Sequence, residues 1–105
     1  MSNDMNKVIF VGTLVSNPES KDVNGLQLCN FWLETKHVSQ SGREEVAKFL
    51  ITVFSGQAAS CMLYLKNGSR AMIEGRMKYD ERREDTNSGW AVAASTVVFL
   101  DQKDK

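Results

Sequence analysis

The chain is short of the residues that usually betray the chemistry of a small domain. Of its 105 residues, two are cysteine (Cys29, Cys61), one is histidine (His37) and one is proline (Pro18). Neither cysteine has a second cysteine or a histidine at metal-ligand spacing, which argues against structural zinc, and no metal or other cofactor is expected. Two cysteines are also too few for the disulfide framework of a small secreted domain. No apolar run approaches the ~20 residues of a membrane span. The opening MSNDMNK has no basic region followed by an apolar stretch, so neither a membrane nor an export signal is expected and a cytoplasmic protein is the natural reading. A charge of one sign is missing too. Thirteen Lys+Arg balance thirteen Asp+Glu, which rules out a globally basic nucleic-acid binder and requires any anionic partner to be met by a local patch. Finally, no Ser/His/Asp spacing, Gly-rich phosphate loop or carboxylate pair beside a histidine is present, so an enzyme is not expected.

What is present is strand-forming sequence punctuated by turns. Lys7 to Val11 (KVIFV) is β-branched and aromatic and runs through Gly12 into Thr13-Leu14-Val15. Asn17-Pro18 and Asn24-Gly25 are turn dipeptides. From Leu26 to Val38 the residues alternate, with Cys29, Phe31 and Leu33 on one face and Asn30, Trp32 and Glu34 on the other, the pattern of a strand with one buried side. A polar loop, Ser39 to Glu45, suits a hairpin, and Lys48 to Phe54 (KFLITVF) is a further strand. Gly56 to Leu65 changes period: Ala58, Met62 and Leu65 are four and three apart, which predicts a short helix, closed by Asn67-Gly68 as a C-terminal glycine cap. Ser69 to Tyr79 and Trp90 to Leu100 read as strands on either side of a charged loop, Asp80 to Gly89.

The predicted order is three strands, one helix between the third and fourth, and two more strands. That order gives an all-β fold class, a five-stranded Greek-key barrel of the OB type with one helix between strands 3 and 4. The expected organisation is one barrel domain over residues 6–101, with a disordered N-terminus at 1–5 and a short polar C-terminus at 102–105. Phe10, Phe31, Phe49 and Phe99 are expected in the core.

Several stretches resemble the bacterial single-stranded DNA-binding protein family. Asn6 to Leu14 (NKVIFVGTL) is similar to that family's opening strand, Asn17-Pro18-Glu19 to the turn after it, and Asn30 to Thr35 (NFWLET) to its second strand. Phe54 to Ser69 keeps the family spacing through Tyr64-Leu65 to Lys66-Asn67-Gly68-Ser69, and Ile73-Glu74-Gly75 follows. The chain also resembles the primosomal replication protein N group, whose strand motif reappears as Cys29, Phe31, Leu33, Glu34 and Val38. By alignment, three positions where the larger family carries base-stacking rings are Ser39, Lys48 and Arg82 here, while the fourth ring is kept as Phe54. The family's long tail with its acidic tip is not expected, and recruitment of other enzymes through it is not implied.

The resemblance implies non-sequence-specific binding of single-stranded DNA in replication, recombination or repair. The alternative is an accessory of replication restart that acts mainly on protein partners such as primosomal or helicase proteins. Both groups join subunits through the opening strand, so a homodimer or homotetramer is implied. Binding a single strand needs flat rings for unstacked bases and cations for phosphates. If Phe49, Ile51 and Val53 face inward, Lys48 and Phe54 face out, and burying Cys29, Phe31 and Leu33 turns Trp32 out as well. Trp32 and Phe54 are therefore the expected base platforms, with Trp90 beside the charged loop as a third ring. Lys7, Lys36, Lys48, Arg70, Arg76, Lys78, Arg82 and Arg83 are the expected phosphate contacts, three of which (Arg70, Arg76, Lys78) share one parity along the fourth strand.

Overall fold

The computed structural model describes residues 3–79 and 89–100. It contains six strands and a helix: β1 (Val8–Leu14), β2 (Glu19–Val23), β3 (Leu26–Val38), β4 (Glu44–Phe54), α1 (Ser55–Tyr64), β5 (Arg70–Tyr79) and β6 (Trp90–Phe99). The sheet order is β1-β5-β6-β4-β3-β2, and β1 returns to pair with β3 through Thr13↔Glu34 and Leu14↔Leu33. That return closes β1, β5, β6, β4 and β3 into the expected five-stranded barrel. The added strand is β2, a ribbon hydrogen-bonded to β3 outside the barrel. It shifts the numbering, so the helix lies between β4 and β5 in chain order while keeping its place in the sequence.

Local chemistry explains most of these boundaries. Asn24 (φ 52°) and Gly25 (φ 83°) both hold positive φ, the two-residue turn whose twist matches a hairpin, and they fold β2 back on β3. The loop after β3 is shorter than its polar composition suggests. Ser39 N–H donates to Arg43 O at 2.9 Å and Gly42 N–H to Ser39 O at 2.9 Å, so β4 begins at Glu44 rather than Lys48. The helix ends at Tyr64, with Leu65 extended and its N–H on Cys61 O. Gly68 (φ 98°) is therefore not the helix cap. It sits in the following turn, where Ser69 N–H reaches Lys66 O and Ser69 Oγ accepts from Lys66 N–H.

The core follows the alternation. Cys29, Phe31 and Leu33 from β3, Ile51 and Val53 from β4, Ile73 from β5 and Val92 from β6 are essentially fully buried. Ala58 and Cys61 lay one face of α1 on the same cluster, joined by Leu65 just after the helix, and the Phe10 and Phe49 rings stack beside it with centroids 4.3 Å apart. Phe99 departs from expectation: at the last position of β6 it is beyond the core and exposed, with its ring 5.8 Å from that of Tyr64. The Cys29 and Cys61 side chains meet inside this core. Cys61 is pushed far above the ordinary thiol range by its hydrogen bond with Cys29 and then by burial, so it behaves as a small protonated hydrophobe.

Gln57 fastens the helix. Its amide accepts from Val97 N–H at 3.0 Å and donates to Val97 O at 3.4 Å, so one side chain continues the ladder of β6. Gln57→Ala leaves both groups to be satisfied otherwise and is expected to lower stability by about 1–2 kcal/mol. The check is urea unfolding, in which the midpoint should fall while the slope holds.

Candidate nucleic-acid interface

One outer sheet surface gathers the residues that a single strand would need. Across β3 and β4 the register places Leu28 opposite Phe54, Asn30 opposite Thr52, Trp32 opposite Leu50, Glu34 opposite Lys48 and Lys36 opposite Val46, all on the side away from the core. β2 extends the surface by setting Lys21 beside Leu28 and Glu19 beside Asn30. On the other flank β4 runs parallel to β6, with Thr52 beside Ala93, and Ala93 is opposite Arg76 on β5. A single row thus crosses five strands from Glu19 through Asn30, Thr52 and Ala93 to Arg76. Lys78, opposite Ala91, lies one step along.

The backbone positions of the two rings are about 14 Å apart on this face, four residues along the strands and one strand across. Trp32 is half-buried, and its backbone is fixed on both sides: its N–H donates to Ser16 Oγ at 3.0 Å, and its carbonyl accepts from Val15 N–H at 2.9 Å. Phe54 is 38% exposed and ends β4 at the N-cap of α1. On β6, between β4 and the cations of β5, the outward side chains are the small ones of Ala91 and Ala93, while Leu50 and Thr52 of β4 lie nearer Trp32. Five cations (Lys21, Lys36, Lys48, Arg76, Lys78) share the face with three carboxylates (Glu19, Glu34, Glu44), so the local balance is positive although the chain is neutral.

Not every residue singled out in the sequence comes here. Lys7 Nζ is 2.8 Å from Glu74 Oε2, which raises the lysine pKa through the hydrogen bond and the charge and leaves little unneutralised charge for a phosphate. Arg70 pairs with Thr13 on the β1 side of the barrel and donates from its guanidinium to Thr13 Oγ1 at 3.2 Å. It shares parity with Arg76 but lies six residues away, about 20 Å along the strand. Trp90 faces the opposite side of the sheet from Trp32. Arg82 and Arg83 lie outside the described residues. Lys21 was missed because β2 has no apolar alternation; the Asn24-Gly25 dipeptide was the available signal for a strand before it.

A closed five-stranded barrel with a helix between its third and fourth barrel strands, here bearing rings and cations on one outer face, is an OB-fold. The chain matches the model of the single-strand binding protein family over residues 5–102, and it belongs to that family. It is 33% identical over 107 residues to a single-stranded DNA-binding protein of Halalkalibacterium halodurans, covering 94% of this chain and 62% of that one. Against single-stranded DNA-binding protein 2 of Clostridium acetobutylicum it is 31% identical over 103 residues, with 92% and 77% covered. Its fold is similar to the crystal structure of a deletion mutant of the single-stranded DNA binding protein from Thermus aquaticus, with a TM-score of 0.70 at 23% identity, over 92% of this chain and 51% of that one. The chain therefore spans about three fifths of the first of these relatives and about half of the solved structure.

Proposed function

We propose that this protein binds single-stranded DNA without sequence preference, stacking bases on Trp32 and Phe54 and neutralising phosphates with Lys21, Lys36, Lys48, Arg76 and Lys78. The observation that carries the reading is the convergence of both rings and these cations on one outer face, in a chain of this family. Every base has a flat face, so stacking tolerates any sequence, while the phosphates supply the salt-dependent share of affinity. No bond is made or broken in such binding. Family membership and the names of the relatives favour this reading over the replication-restart accessory.

Assembly with a second copy is part of the proposal. Val8 to Gly12 pair with β5 along one edge, while β3 is reached only at Thr13 and Leu14, so the other edge of β1 offers its backbone groups to a partner. The outer face beside that edge carries an apolar patch, Ile9 60% and Val11 48% exposed with Met72 and Val98 beside Val11, bordered by the Lys7–Glu74 ion pair opposite Ile9. An antiparallel pairing of two β1 strands would satisfy the backbone and cover this patch by one two-fold operation. Among the described residues no helix is long and apolar enough to cross a membrane.

Affinity for labelled oligo-dT measured against salt tests the DNA reading. Each single-strand phosphate neutralised contributes about −0.7 to the slope of log affinity on log salt, so three to five contacts give a slope of roughly −2 to −3.5. Replacing Arg76 and Lys78 together with alanine should flatten it by about 1.4. Weak binding indifferent to salt, or a slope unmoved by the double substitution, overturns the reading.

A further inference from the structure

The hairpin of β5 and β6 carries a second pair of rings that the outer face does not use. Alternation sends Arg76 and Lys78 outward along β5 and puts Met77 and Tyr79 on the core-facing side. Along β6 it sends Ala91 and Ala93 outward and turns Trp90 and Val92 the other way. Tyr79 and Trp90 are the last register partners described in this ladder, and their rings meet edge to face with centroids 5.1 Å apart at 66°. Val92, two residues further in, is fully buried, whereas Tyr79 is 52% and Trp90 50% exposed. The pair therefore stands beyond the core, and sealing the barrel does not consume half of its surface. An edge-to-face contact also differs from a stack in leaving the flat faces of the edge-donating ring unused by the pair.

The position of the pair says what would occupy it. Lys78 is the neighbour of Tyr79 in sequence, and Arg76 joins through Ala93 to Thr52 on the face described above. The cations lie on one side of this strand pair and the rings on the other, at neighbouring positions of the same ladder. We infer that Tyr79 and Trp90 are a second contact for single-stranded DNA, holding an unstacked base after the strand has left the Trp32–Phe54 face and turned around the hairpin past Arg76 and Lys78. This rests on the DNA reading above and extends the path of the strand to the other side of the same sheet. It requires a strand longer than the first face alone can hold.

The chain has two tryptophans, Trp32 and Trp90, so the two sides can be read separately. Trp32→Phe keeps a ring on the first face and leaves Trp90 as the reporter, and Trp90→Phe leaves Trp32. Each is titrated to saturation, confirmed by anisotropy, with oligo-dT of roughly 8 and roughly 20 nucleotides, one within and one beyond the usual ~4–16 nucleotides per OB fold. Trp32 emission should be quenched by both lengths, and Trp90 emission mainly by the longer. Tyr79→Ala should weaken binding of the longer oligomer roughly 5- to 150-fold, the range of one lost stacking contact, while leaving the shorter within about twofold; Tyr79→Phe should restore it. Trp90 emission unmoved at saturation while Trp32 responds overturns the inference and leaves the DNA reading standing. If neither tryptophan responds and no complex forms, the DNA reading falls and this inference with it.

Discussion

Replacing Trp32 and Phe54 together with alanine should weaken oligo-dT binding from about thirtyfold to more than a thousandfold at fixed salt. Each stacked base contributes about 1–3 kcal/mol, and each 1.4 kcal/mol is a factor of ten. The two residues lie on different strands with backbone positions about 14 Å apart, so their losses should be close to additive. Trp32→Phe and Phe54→Tyr, which keep a flat ring, should retain most of the affinity. The melting temperature separates this from misfolding, because neither ring is among the fully buried side chains. A double variant that melts normally and binds within threefold of the unaltered protein would mean that bases do not stack on this face.

Gly75→Ala is expected to be the most damaging small substitution for the fold, with Gly12→Ala close behind. A Cβ on Gly75 would run into the Ala93 carbonyl, and one on Gly12 into the Glu34 carbonyl. Neither obstacle is a side chain that could swing away; each belongs to a neighbouring strand of the barrel. At Gly75 the ladder also slips, because Glu74 pairs with Thr96 and Gly75 with Ala94. Ser95 is left bulged, its Oγ donating to Glu74 O at 3.1 Å. Overpacking against backbone should cost about 3 kcal/mol or more. For a domain of this size that is a fall in melting temperature of roughly 12–24 °C. Gly56→Ala is the control, since an added Cβ there meets nothing within 4 Å and the position is helical, so it should melt at or above the unaltered temperature. A Gly75→Ala protein that melts within a few degrees of the original would refute the steric argument.

The contrast between β3 and β2 shows what could be read from the chain alone. In β3 the alternation of Cys29, Phe31 and Leu33 with Asn30, Trp32 and Glu34 carries its own orientation, because a one-residue slip would expose the whole apolar set. The same arithmetic in β4 put Phe54 on the outer side. β2 is exposed along its entire length and has no such signature; backbone pairing and the Asn24-Gly25 turn hold it. Parity also stops at the single strand. It gives Arg70, Arg76 and Lys78 one side of β5 without saying that β1 lies alongside Arg70 and that the row from Arg76 leads through β6 to β4. The ion pair of Lys7 with Glu74 depends on the same long-range pairing, since Ile9 must first find Glu74 across the sheet.

The closure of β1 onto β3 has a consequence for how the molecule breathes. From Leu28 to Val38, β3 is hydrogen-bonded continuously to β4, whereas the β1 side holds β3 through Thr13 and Leu14 and the two residues that follow, Val15 and Ser16. So short a suture is where transient local unfolding should begin, with amides near it exchanging with solvent sooner than those of the β3–β4 ribbon. Trp32 is anchored beside this suture through Val15 and Ser16, so the stiffness of this proposed base platform is tied to whether the slit is shut. A neighbour clasped along β1 would act as a splint on it, making assembly and the steadiness of the ring proposed to face DNA two expressions of one mechanical linkage.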